Sequence, residues 1–189
     1  MSDDRPQDYE DVSVYDLDDD QEEALLLAHN ECTFIWANKE GWPVGVIMSY
    51  IWRDGRFWLT ATSQRARIHA VRRDPRVCIV VTSTGSPLPP NKTVTYKGMC
   101  TIHDDAETKD WFYADFSRTL QPNEKAAAEF QRFLDSPRRV VLEVEPTQRI
   151  GYDGPVRPEP FNQALNEMED EEACAAASKA LHQAMAMIR

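Results

Sequence analysis

Apolar and polar positions alternate with a period of two in several stretches of this chain, the signature of strands with one buried face. Residues 57–62 show it most cleanly: Phe57, Leu59 and Ala61 point one way, and Trp58, Thr60 and Thr62 the other. Residues 140–145 repeat the pattern, with Val140, Leu142 and Val144 set against Val141, Glu143 and Glu145. Further strands are predicted over 32–37, 44–52, 77–81 and 92–103, and the last strand over 138–150. Asp54-Gly55 between two apolar runs predicts a tight hairpin.

Helical spacing replaces alternation in four places ahead of the Ala-rich C-terminal stretch. Asp18–Asp20 followed by Gln21–Glu23 offers a cap and first-turn acids for a helix over 19–29. Ile68 and Val71 share a face in a short helix over 64–73. Asp74-Pro75 stops that helix, because the residue before a proline is pushed out of helical geometry. Two more helices are predicted over 105–119 and 123–134, ahead of the last strand. Six strands, tight connections and short helices predict a mainly β, α+β fold: a six-stranded antiparallel split barrel with helices at its ends. The expected organisation is an acidic disordered leader over 1–18, the barrel over 19–150, a Pro/Gly linker over 151–160 and a C-terminal helix over 161–189.

Charge changes this picture little. The net charge is −11. Residues 1–23 carry eleven acids and one arginine, so the remaining chain is close to neutral with 21 acids and 20 bases. The acidity belongs to the leader. Cys32, Cys78, Cys100 and Cys174 are far apart and form no C-x-x-C pair. They suit small buried thiols in a reducing cytoplasm rather than a disulfide framework. No metal site is expected, since His29, His69, His103 and His182 lack ligand spacing. No apolar run is long enough to span a bilayer and none resembles a signal peptide, so no membrane partner is expected.

The candidate chemistry lies between two strands. Five arginines (Arg65, Arg67, Arg72, Arg73, Arg76) fall within twelve residues, against the single acid Asp74. Thr60, Thr62 and Ser63 immediately precede them. Hydroxyls and guanidiniums at the start of a helix suit a phosphate: free N–H groups and the helix dipole favour an anion, and guanidiniums add charge-assisted bonds. The basic run is too short, on a near-neutral barrel, for a nucleic-acid footprint. No Ser/His/Asp group, paired carboxylates or Walker loop emerges, as suits a protein whose cofactor carries the chemistry. The catalytic residues stay unknown.

The ordered runs Gly41-Trp42-Pro43-Val44, Met48-Ser49-Tyr50-Ile51-Trp52, Phe57-Trp58-Leu59-Thr60, Arg65-Ala66-Arg67 and Asp74-Pro75-Arg76-Val77 resemble the pyridoxamine 5′-phosphate oxidase-like flavin-binding split barrels. Thr93–Gly98 fits the family's later strand. The resemblance covers roughly residues 22–150 and implies a homodimer with cofactor sites at the interface. It implies that the backbone of Val46, Ile47, Met48 and Ser49 runs along a flavin ring. Thr60, Ala61 and Thr62 would hold the ribityl and phosphate groups, and Arg65, Ala66 and Arg67 would stand where the family grips the phosphate. Lys92 and Thr93 would add contacts from the partner subunit. Tyr50 and Trp58 are candidate pocket walls for a small substrate.

Two departures bear on activity. The middle position of the basic turn is Ala66 rather than a basic residue. The strand bearing Trp and Arg that holds pyridoxal in the true oxidases has no match in the Ala-rich residues 161–189. The resemblance therefore implies a flavin-dependent oxidoreductase other than pyridoxamine phosphate oxidase, with FMN as cofactor. Its deazaflavin counterpart, 8-hydroxy-5-deazaflavin (coenzyme F420), is the alternative. A non-catalytic flavin- or haem-binding split barrel is the rival reading.

Overall fold

The structure, a computed structural model, describes residues 16–154. The helix expected over 161–189, most of the linker and most of the acidic leader lie outside the described residues. The element order is α1 (Asp19–Ala28), β1 (Glu31–Ala37), β2 (Pro43–Arg53), β3 (Arg56–Thr62), α2 (Ala66–Arg73), β4 (Arg76–Thr82), β5 (Lys92–His103), α3 (Ala106–Leu120), α4 (Glu124–Leu134) and β6 (Arg139–Asp153). The strands close an antiparallel barrel in the order β1-β2-β3-β6-β5-β4. The expected six-stranded barrel with helices at its ends is what forms.

Local chemistry explains the ends of these elements. Asp18 caps α1 in a reciprocal box: its carboxylate accepts from Gln21 N at 2.8 Å, and the Gln21 side chain accepts from Asp18 N at 3.1 Å. Asp54 and Gly55 both have positive φ (54° and 72°), as a type I′ hairpin turn requires. Asp74 N donates back to Ala70 O and closes α2, and Asp74 then pairs with Arg76 at 2.7 Å.

Two cores result. Inside the barrel, Phe34, Phe57, Leu59, Ile79, Val94 and Leu142 are fully buried. Each such side chain contributes roughly 1.5–3 kcal/mol of hydrophobic stabilisation. Outside it, α3 and α4 cover a second cluster of Ile51, Phe112, Tyr113, Phe116, Leu134 and Val141. This second core changes the expected alternation in β6. Val141 points away from the barrel interior, yet it is as buried as Leu142, because the helical insertion lies over it.

Three boundaries differ from the sequence expectation. The strand β6 continues to Asp153, into the stretch read as a linker from 151, because Thr93–Tyr152 and Lys92–Asp153 pairing extends the ladder. Residues 16–18, counted in the leader, are seated on the barrel: Leu17 is buried and Asp16 pairs with Arg149 at 3.0 Å. The helix α2 begins at Ala66, not 64, because Arg65 N donates to Thr62 O in a turn and Arg65 itself is extended.

Candidate functional site

The barrel is split between β2 and β3. These strands pair only from Tyr50–Leu59 to Arg53–Arg56, at their hairpin end. Beyond that point, residues 43–49 of β2 pair with β1 alone, and Thr60–Thr62 of β3 pair with β6 alone. Continuing the β2–β3 register would set Ser49 opposite Thr60, Met48 opposite Ala61 and Ile47 opposite Thr62. The two groups of residues expected to hold the ring and the phosphate therefore stand on facing banks of one gap. The β2 bank has a backbone edge with no strand partner.

Side chains on the β2 bank alternate. Met48 is buried in the barrel and Val46 is half-buried against the core, while Ile47 faces outward and is 65% exposed. Met48 can reach a ligand in the gap only through its backbone. On the β3 bank, Thr60 Oγ1 donates to Val140 O at 2.9 Å, and Ala61 is buried inward.

The turn after β3 concentrates unpaired charge. Arg65 is exposed, Ala66 is exposed and Arg67 is half-buried. Neither arginine forms an ion pair with an acid among the described residues. Arg67 Nε and Arg139 Nε are buried with no hydrogen-bond partner among the described residues, and the buried Tyr113 OH has only the Thr60 side chain beside it. A buried donor left unmatched costs about 1–3 kcal/mol. Burial and then the neighbouring Arg65 charge lower the Arg67 pKa. Burial likewise lowers Arg139, and Arg65 adds to the effect. A multivalent oxygen anion would satisfy these donors and relieve the like-charge crowding. The residues present thus fit the phosphate of a flavin cofactor. Beside the turn, a groove of ≈ 340 Å³ runs between α2 and the β1–β2 connection, lined by Trp36, Asn38, Ala66, His69 and Arg73.

Other expected positions fall elsewhere. Tyr50 is 1% exposed, and its hydroxyl donates to Leu26 O at 2.9 Å, so it braces the core rather than lining a pocket. Trp58 lies edge-on to Trp111 at 4.7 Å beneath α3, and its indole N–H donates to Arg53 O at 3.3 Å. That packing anchors the insertion and leaves Trp58 half-buried. Lys92 and Thr93 sit at the end of β5 that pairs with Asp153 and Tyr152, whereas the His103 end of β5 pairs with Val141, near the Arg turn. Within one chain they are remote from the split, and the Lys92 ammonium is paired with Asp153 at 2.5 Å. Arg73 donates to Ala37 O at 2.8 Å and fixes α2 to β1.

Arg139 and Tyr113 escaped the sequence reading. The only signal was Arg138-Arg139 opening an apolar strand. Its meaning depends on the register that sets Thr62 opposite Arg139. Among the described residues, no three His, Cys, Asp or Glu side chains could hold a metal ion, and no helix is long and apolar enough to cross a membrane.

Comparison with known proteins places the fold. A putative pyridoxamine 5′-phosphate oxidase from Listeria innocua superposes with a TM-score of 0.56 at 19% identity, over 71% of this chain and 98% of that one. A conserved hypothetical protein of Mycobacterium tuberculosis gives 0.63 at 15% identity, over 77% and 96%. An F420 reductase gives 0.52 at 19% identity, over 68% and 94%. Among curated proteins, none matches the sequence. The profile of the pyridoxamine 5′-phosphate oxidase family matches residues 18–152, the whole barrel with its helical insertion, and the chain belongs to that family.

Proposed function

We propose that this protein is a flavin-dependent oxidoreductase that binds FMN in the split between β2 and β3 and acts as a homodimer. The observation that carries the reading is the Arg65–Arg67 turn, whose guanidiniums have no acid partner among the described residues and include a buried, unsatisfied Nε. The chain's part is to grip phosphate with Arg65, Arg67 and Thr62 and to lay the β2 backbone at residues 46–49 along the cofactor ring. When bound, the flavin supplies the hydride chemistry with a small substrate other than pyridoxamine phosphate. Lys92 and Thr93, remote within one chain, would approach the cofactor from the second copy.

The deazaflavin F420 is the second reading for the cofactor. A fold shared with an F420 reductase favours it, and it would present its phosphate to the same turn.

Titration of the purified protein with FMN and with the deazaflavin tests both. Tight FMN binding, weakened roughly 10- to 100-fold in Arg67→Ala, is the expected result. Preference for the deazaflavin would exchange the cofactor and keep the site. A Soret band with no flavin affinity would favour a haem-binding protein of this fold. Tight flavin binding with no turnover by any donor would make the protein a carrier.

A further inference from the structure

We propose that Arg139 and Tyr113 complete the anion site, so that the bound phosphate is held by the last strand and the helical insertion as well as by the β3–α2 turn. The proposal rests on the flavin reading for the identity of the ligand, but the anion site itself rests on geometry. Ser63 N donates to Arg138 O at 2.7 Å, and Thr62 pairs with Arg139 in the β3–β6 ladder. The start of β6 is thereby fixed beside the start of the turn. Paired residues on neighbouring strands share a face. Arg139 therefore emerges with Thr62 on the outer side of the barrel, the side that carries Val141 beneath α3.

Arg139 has no acid to neutralise it. It forms no ion pair among the described residues, its Nε is buried without a partner, and its guanidinium rests over the Phe133 ring at 5.8 Å. Its charge is felt at Arg65 on one side and at Tyr113 on the other. Tyr113 is 3% exposed, and its hydroxyl lies beside the Thr60 side chain without completing a hydrogen bond of ordinary geometry to any described residue. Burial raises its pKa, so it stays a neutral O–H donor. A phenol hydroxyl and the Arg65 and Arg139 guanidiniums thus lie within reach of one another's charge, and Asp135, the acid felt at Tyr113, forms no ion pair with Arg139. Structural arginines on barrel surfaces find carboxylates, as Arg56 does with Glu143 at 3.0 Å and Arg53 with Asp115 at 2.7 Å. Arg65, Arg67 and Arg139 find none among the described residues. A phosphate ester supplies the missing acceptors, and its several oxygens suit forked donors from different elements.

The test compares FMN with riboflavin, which carries the same ring without the phosphate. Arg139→Met is expected to weaken FMN roughly 10- to 100-fold and to leave riboflavin affinity within about two-fold. Tyr113→Phe, which deletes one neutral donor, is expected to cost about 3- to 10-fold for FMN alone. Arg139→Lys keeps the charge and loses the planar fork, and should fall between Arg139→Met and wild type. Equal losses for FMN and riboflavin would make Arg139 a merely structural residue and overturn the proposal, as would an unchanged FMN affinity. If the wild type binds neither flavin, the flavin reading fails and inorganic phosphate decides the anion site. A rise in Tm with phosphate that disappears in Arg139→Met supports it, and no rise in the wild type overturns it.

Discussion

Burial sets the chemistry of single side chains here, and the thiols make the point. Cys32 and Cys100 are 3% and 5% exposed, and burial pushes both thiols up to about 12, with Glu31 and Glu143 adding smaller effects. A thiol reacts as its thiolate, so both are inert at ordinary pH. Cys78 is half-buried and borders a hollow of ≈ 430 Å³ on the outer face of β1, β4 and β5, next to Ile35, Lys97 and Met99. Wherever that hollow is not covered by a second chain, iodoacetamide at pH 8 should therefore alkylate Cys78 at least about 100-fold faster than Cys32 or Cys100 in the folded protein. Peptide mapping by mass spectrometry in a Cys174→Ser background checks this. Comparable rates at all three would mean that the barrel opens on the timescale of labelling. The same logic governs the aromatics: residue type alone does not separate a core ring such as Tyr50 from a lining one.

The longest seam of the molecule, β5 against β6, depends on one glycine. The register slips between Lys97 and Gly98, where β6 carries an extra residue and the ladder bends. A Cβ on Gly98 would lie 2.7 Å from Val144 Cγ1 and 2.8 Å from the Glu145 carbonyl oxygen. The side chain could turn aside, but the carbonyl belongs to the ladder and cannot. Gly98→Ala should cost about 1–3 kcal/mol, read as a lower urea midpoint with an unchanged slope. An unshifted midpoint would show that the bulge yields freely. This scale also separates what the sequence revealed from what it hid. Alternation, caps and the Asp-Gly and Asp-Pro signals are local, so all ten described elements were legible to within about three residues at each end. The Arg65–Arg67 turn was legible for the same reason: its hydroxyls and guanidiniums are adjacent in the chain. Arg139 and Tyr113 were not, because register and the packing of α3 bring them to that turn from 74 and 48 residues away. Val141 was hidden likewise, since whether a strand's outer face meets water or a helix is decided by a distant insertion.

At the scale of the whole barrel, the described residues leave an apolar band exposed that α1, α2, α3 and α4 do not cover. Trp42 is 70% exposed, Ile47 65% and Ile150 53%, and Met99 adds to them. These positions lie on β2, β5 and β6 or the turn before β2, and the hollow beside Cys78 lies on β1, β4 and β5, which complete the circuit between β2 and β6. Apolar surface spread over five neighbouring strands suits an association face better than scattered exposed residues would. A second copy of the chain is the occupant our functional reading calls for, and Ile47 ties that association to the cofactor. It is exposed on this side of the barrel and also stands on the β2 bank of the split, in line with Thr62. Ile47→Glu would bring a carboxylate to an apolar interface, where its desolvation is uncompensated. Sedimentation velocity should show the wild type at twice the 21.7 kDa of one chain and Ile47→Glu at one chain's mass. FMN affinity should fall about 10-fold or more in the variant even though Arg65, Arg67 and Arg139 are untouched. A wild type that sediments as a monomer while binding FMN tightly would break the link between association and site, leaving each chain to hold its cofactor with its own split, turn and insertion.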